Sequence, residues 1–98
     1  PTALFCISDV LAMGAIRAAD SLKIRVPEQL SVVGFDDVEY ATMLNPMLTT
    51  VSQPLYPLGK TSAQMLIEQI ESGVGKKEIF LGHKLVIRDS TASIRTLE

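Results

Sequence analysis

The residues of this chain best placed to do chemistry are the acids that close two short apolar runs. Ala3-Leu4-Phe5-Cys6-Ile7 gives way to Ser8-Asp9, and Leu30-Ser31-Val32-Val33-Gly34-Phe35 gives way to Asp36-Asp37. If both runs are parallel strands of one sheet, these four polar residues gather at its carboxyl edge, where open α/β sheets hold ligands. A carboxylate there accepts paired hydrogen bonds from vicinal hydroxyls or an N–H pair, charge-assisted and stronger than neutral ones. The competing use of an acid is structural. Asp9 opens a helix and reads as its N-cap rather than a ligand residue, and Asp37 reads as a side chain bonded to nearby backbone. The lone Cys6 lies inside an apolar run and reads as a buried, inert thiol. The lone His83 has no second ligand at metal spacing, so no metal centre is expected. No nucleophile with a base and no phosphate-binding glycine loop appears, which argues against an enzyme and implies no cofactor.

The elements that must position those acids follow from hydropathy. Residues 3–8 are continuously apolar rather than alternating, as in a strand covered on both faces. A helix follows at once, capped by Ser8 or Asp9. Its apolar positions Leu11, Ala12, Ala15, Ile16, Ala19 and Leu22 fall within about 140° of arc. Residues 30–35 form the second strand, completing a βαβ unit of right-handed prior. Val38 to Leu44 allows a turn or two of helix, stopped before Pro46. Thr49 to Gln53 reads as a brief β-branched strand ended by Pro54. A second helix is predicted from about Tyr56 to Ser72, with Leu58, Met65, Leu66 and Ile70 on one face, Pro57 in its first turn and Gly73 as C-cap. A loop over residues 73–78 then leads to two short strands, Ile79-Phe80-Leu81 and Lys84 to Arg88.

The 98 residues suffice for one small domain, and their composition is that of a soluble globular chain. A net charge of −2 with interspersed signs offers no basic face to a nucleic-acid backbone. No window approaches the roughly 18 apolar residues of a membrane helix, and the N-terminal residues lack the order of a signal peptide. Two strands apolar on both faces demand helices above and below, yet a single long helix lies next to them in the chain. The sequence therefore reads as a piece of something larger, marginally stable by itself.

Several segments carry a family resemblance. They are Pro1 to Asp9 followed by Met13-Gly14-Ala15, then Arg25-Val26-Pro27-Glu28, then Leu30 to Asp37. The series continues with Asn45-Pro46, Leu48-Thr49-Thr50-Val51, Gln53-Pro54, Gly59 and Leu85 to Thr91. In this order, over residues 1 to about 92, the chain resembles the C-terminal part of the effector-binding core of lac-repressor/gal-repressor (LacI/GalR) transcriptional regulators. The resemblance implies an α/β fold: a parallel sheet with flanking helices, the periplasmic-binding-protein-like (type I) C-terminal subdomain as an incomplete fragment. Residues 1–50 would belong to that subdomain, 51–82 to the crossover and part of the N-terminal subdomain, and 83–92 to the returning strand. A DNA-reading helix-turn-helix headpiece would lie outside this chain.

The resemblance also assigns roles. Asp36, first acid of the glycine-aromatic-Asp-Asp motif, would contact the effector. Ser8 stands where many members carry a ligand-touching asparagine, Gln53 matches a crossover position that faces the cleft in some relatives, and Leu55 would add apolar lining. On the first helix Val10, Met13 and Arg17 form a stripe opposite the core face, where a solvated helix would show mostly charges. With Tyr40, Met43 and Leu44 they would pair two subunits about a two-fold axis. The expected function is ligand sensing and dimerisation in a cytoplasmic bacterial regulator, with a sugar or related small molecule as effector, DNA bound through the headpiece and no membrane partner. A periplasmic sugar receptor is the alternative, and a phosphoryl-accepting receiver domain fails for want of its lysine and hydroxyl residue.

Overall fold

The computed structural model describes residues 1–73 and 77–94. They form two compact units, the first made of residues 1–52 with the segment from Lys84 onward, the second of Gln53–His83.

The first unit is built on the predicted βαβ motif. Strand β1 (Ala3–Phe5) pairs in parallel with β2 (Ser31–Val33), in the register Ala3 to Ser31, Leu4 to Val32 and Phe5 to Val33. Helix α1 (Asp9–Ser21) connects them. On its other side β2 meets the chain at Thr49 to Ser52, where Gly34 N donates to Thr49 O and Asp36 N to Val51 O, both at 2.9 Å. Strand β3 (Thr50–Ser52) pairs antiparallel with the next strand of this unit, β4 (Lys84–Val86). Parallel pairing thus dominates next to the acids, with one antiparallel strand beyond them.

Burial in α1 corrects the expected core face. Asp9, Ala12, Ile16 and Ala19 are buried, whereas Leu11 and Leu22 are exposed. At 100° per residue both leucines lie roughly 60–80° round the helix from the buried stripe, beyond the reach of the narrow sheet beneath it. The core contains Ala12, Ile16, Val32, Ala41 and Leu48, with Cys6, Ala15, Val26, Leu30 and Leu44 packed against it. Ala41 comes from a short 3₁₀ turn, Glu39–Thr42, shorter than the helix the sequence allowed. Strand β1, expected to be covered on both faces, is exposed along its length in this chain, because the described residues supply no layer beyond it.

In the second unit, α2 (Leu55–Ser72) ends as predicted, with Gly73 left-handed at φ 64° and its N–H returned to Gln69 O. A glycine takes that conformation without steric cost, which stops the helix. None of its described residues is fully buried, and Leu58, Leu66 and Ile70 of the expected apolar face are exposed. Ile79-Phe80-Leu81 is not a strand. The run has β propensity but no neighbouring strand among the described residues, and propensity without a pairing partner does not make a sheet. Residues 74–76 of the predicted loop lie outside the described residues.

Candidate functional site

The two acid-ended strands meet at one edge. Cys6 N donates to Val33 O at 2.8 Å and Asp9 N to Phe35 O at 3.0 Å, so parallel pairing continues past β1 and sets Ser8-Asp9 beside Phe35-Asp36. There the second strand breaks into an unusual turn. Asp36 has φ 117° and Asp37 φ 61°, both in the region disfavoured for residues with a side chain. Such conformations cost on the order of 1–3 kcal/mol each and persist where surrounding bonds over-determine them.

The surrounding bonds are on three sides. Asp36 N is held by Val51 O. The Asp37 carboxylate accepts from Arg88 Nη2 at 2.8 Å, both side chains being mostly buried, while Arg88 Nη1 donates to Leu48 O at 2.9 Å. Val38 N, just past the turn, donates to Asp9 Oδ2 at 2.7 Å.

Asp9 departs from its expected role. Ser8 is the N-cap of α1, its hydroxyl accepting from Leu11 N at 3.2 Å with the extended backbone a cap requires. Asp9 is only 3% exposed and spends its second oxygen on Thr50, whose hydroxyl donates to Oδ1 at 2.6 Å. One carboxylate therefore joins the start of α1, β3 and the acid turn. It fits because Gly34 has no side chain: a Cβ there would collide with Asp9 Oδ1 and with Leu48 Cδ2.

A second polar cluster escaped the sequence reading. Ser90, fully buried, donates from Oγ to Val32 O at 2.6 Å and accepts from Thr49 N at 2.8 Å. Thr49 Oγ1 accepts from Arg88 N at 2.9 Å and lies 3.0 Å from Thr91 Oγ1. Ser, Thr and Arg separated by some 40 residues leave no local periodicity to read.

The remaining candidates are placed as follows. Gln53 and Leu55 open the second unit, Leu55 N donating to Gln53 O at 2.9 Å with the Leu55 side chain exposed. Val10, Arg17, Tyr40 and Met43 are exposed, while Met13 and Leu44 are half-buried. Met13, Arg17 and Leu44 line one open groove of about 700 Å³ with Asn45 and Pro46. Partial burial pushes the Cys6 thiol up from its ordinary value, as a thiol in an apolar setting requires. His83 is exposed, and no cluster of metal-ligating side chains occurs among the described residues.

Comparison with known proteins gives this arrangement a context. The family model described as a periplasmic binding protein-like domain matches residues 1–91. The chain belongs to that family. Within it, this periplasmic-binding-protein-like chain is 48% identical over 96 residues to the HTH-type transcriptional repressor PurR of Yersinia enterocolitica, covering 94% of this chain and 27% of the repressor. Among solved structures it matches the lac repressor dimer bound to operator and the anti-inducer ONPF, with TM-score 0.85 and 36% identity over 95% of this chain and 32% of that one. A LacI family transcriptional regulator from Enterococcus faecium with bound ribose gives TM-score 0.85 and 33% identity, over 96% of this chain and 35% of that one. The periplasmic-binding-protein-like chain thus spans about a third of the proteins it matches, which are a transcriptional repressor, the lac repressor and a LacI family transcriptional regulator.

Proposed function

We propose that this chain is the ligand-sensing and dimerisation part of a cytoplasmic bacterial LacI-family regulator, in which a small effector, a sugar or sugar derivative, controls DNA binding by a headpiece outside the chain. The observation that carries the reading is the acid turn: an Asp36 at the carboxyl edge of a parallel sheet, in a backbone conformation kept at a cost. A carboxylate there grips vicinal hydroxyls of a polyol, with Ser8 beside it and Gln53 and Leu55 contributed by the crossover. The regulator with bound ribose, a third identical to this chain, supports the sugar class. Residues 1–50 and the returning strand 83–92 then belong to the C-terminal subdomain of the effector-binding core, and residues 51–82 to the crossover and part of the N-terminal subdomain. Ligand binding shifts the regulator between conformations and so controls the headpieces. The exposed Val10, Arg17, Tyr40 and Met43, with Met13 and Leu44, form the subunit contact. No helix among the described residues is long and apolar enough to cross a membrane.

The test is a thermal-shift titration of the full-length protein with ribose and a panel of other sugars and sugar phosphates. A binder at 100 times its Kd adds about 2.7 kcal/mol of stability. Asp36→Ala is expected to abolish that shift. An Asp36→Ala protein that responds to the same sugar as strongly as wild type would sink the site assignment.

A further inference from the structure

Asp36 and Asp37 sit at φ 117° and 61°, backbone angles that residues with a side chain rarely adopt, and groups outside the turn bear on it. Two side chains reach it from distant elements. From the start of α1, Asp9 Oδ2 accepts the Val38 N–H at 2.7 Å, while Oδ1 is fixed by Thr50 Oγ1 at 2.6 Å. From the segment after β4, Arg88 bonds Asp37 Oδ1 at 2.8 Å and Leu48 O at 2.9 Å with different nitrogens of one rigid guanidinium. The turn is therefore pinned immediately after Asp36, at Asp37 and at Val38, by groups from two distant elements.

We propose that Asp9 and Arg88 are positioning residues that set ligand affinity without touching the ligand, by holding Asp36 and Asp37 at their positive φ angles. This rests on the reading of Asp36 as the ligand-gripping acid. Loss of either pin leaves Asp36 and Asp37 to relax toward ordinary backbone angles, which swings the Asp36 carboxylate off the sheet edge. A displacement of about 1 Å in such a group is enough to lower binding strongly. Gly34 belongs to the same device, because any larger residue there displaces the Asp9 carboxylate.

The experiment uses the full-length protein and the variants Arg88→Gln, Arg88→Lys and Thr50→Val. Thr50→Val frees Asp9 Oδ1 without replacing any residue of the turn, and is expected to loosen the Asp9 pin and weaken ribose binding less than Arg88→Gln does. Hydrogen–deuterium exchange of the peptide covering residues 34–40 is compared with that covering α1, and ribose affinity is measured by calorimetry. Arg88→Gln is expected to speed exchange in residues 34–40 and to weaken ribose binding, each by about tenfold, with α1 protection unchanged. Arg88→Lys, which keeps the charge but replaces the rigid two-nitrogen fork with a single ammonium on a flexible stem, is expected to fall between wild type and Arg88→Gln. Exchange that stays at the wild-type rate in residues 34–40, or that rises equally in α1, overturns the proposal whether or not ribose binds. If Asp36→Ala weakens ribose binding while Arg88→Gln and Thr50→Val do not, the positioning role fails and the ligand assignment stands. If Asp36→Ala leaves ribose affinity intact, the ligand assignment fails, and the exchange data alone decide whether the pins hold the turn.

Discussion

Gly34 shows how one absent side chain organises the acid edge. The space its Cβ would fill is occupied by the Asp9 carboxylate and by Leu48, so Gly34→Ala must push a buried, doubly bonded acid out of place. We expect Gly34→Ala to destabilise the protein by about 1–3 kcal/mol, as overpacking does, read as a lower urea midpoint with an unchanged slope. Ser90→Ala removes a partner from both Thr49 N and Val32 O, at about 1–3 kcal/mol per buried group left unsatisfied. Its melting curve should shift down by several degrees, and an unshifted curve would show that water replaces the hydroxyl. At this scale the sequence disclosed Asp36 and Asp37 as the acids of a sheet-edge turn and Ser8 as a possible cap. Asp9 was misread because an acid at a helix start has a local explanation, capping, that hides a long-range one. Arg88 and Ser90 were legible as motif residues without a role, since their partners lie some 40 to 60 positions away.

The elements were more legible than their boundaries. Helix α1 was visible because alanines and a spaced apolar set agree with each other, and its N-cap serine fixed the start to within a residue. Its buried stripe was narrower than the sequence suggested, since periodicity gives the direction of an apolar face but not the width of the sheet beneath it. Ile16→Ala, in the middle of that stripe, is expected to cost about 2–5 kcal/mol in chemical denaturation; a change below about 0.5 kcal/mol, typical of surface sites, would mean that α1 is not docked there. The segment 79–81 failed for the opposite reason. Its residues favour a strand, but pairing is a property of two segments, and the sequence of one cannot report the absence of the other. Helix α2 stopped where Gly73 said it would, because a left-handed cap is a strictly local event.

At the scale of the molecule, exposed apolar residues occur on β1 and β4, on α2, and, as a separate set, on the outer surface of α1 and around the 3₁₀ turn. The latter set carries the proposed subunit contact, and Met13→Glu in the full-length protein is expected to shift the population from dimer toward monomer in sedimentation velocity at micromolar concentration. An unchanged profile would argue against that surface. The first unit is also discontinuous in sequence, and this has a consequence for how the protein is made. Strands β1 and β2 and helix α1 all lie within the first 52 residues and can associate as soon as these are available. The hydroxyl that closes on Val32 is 58 positions further on, and the guanidinium that holds Asp37 is 51 positions away from it. Closing such loops costs little free energy, about 0.6 kcal/mol per doubling of length, but it cannot precede synthesis. At about 5–20 residues per second, the Val32 carbonyl waits on the order of 3–12 s for Ser90. In the growing chain the acid turn is therefore laid down several seconds before the arginine that anchors it, and a nascent chain paused within α2 carries the turn with its Asp9 bond but without its Arg88 bond.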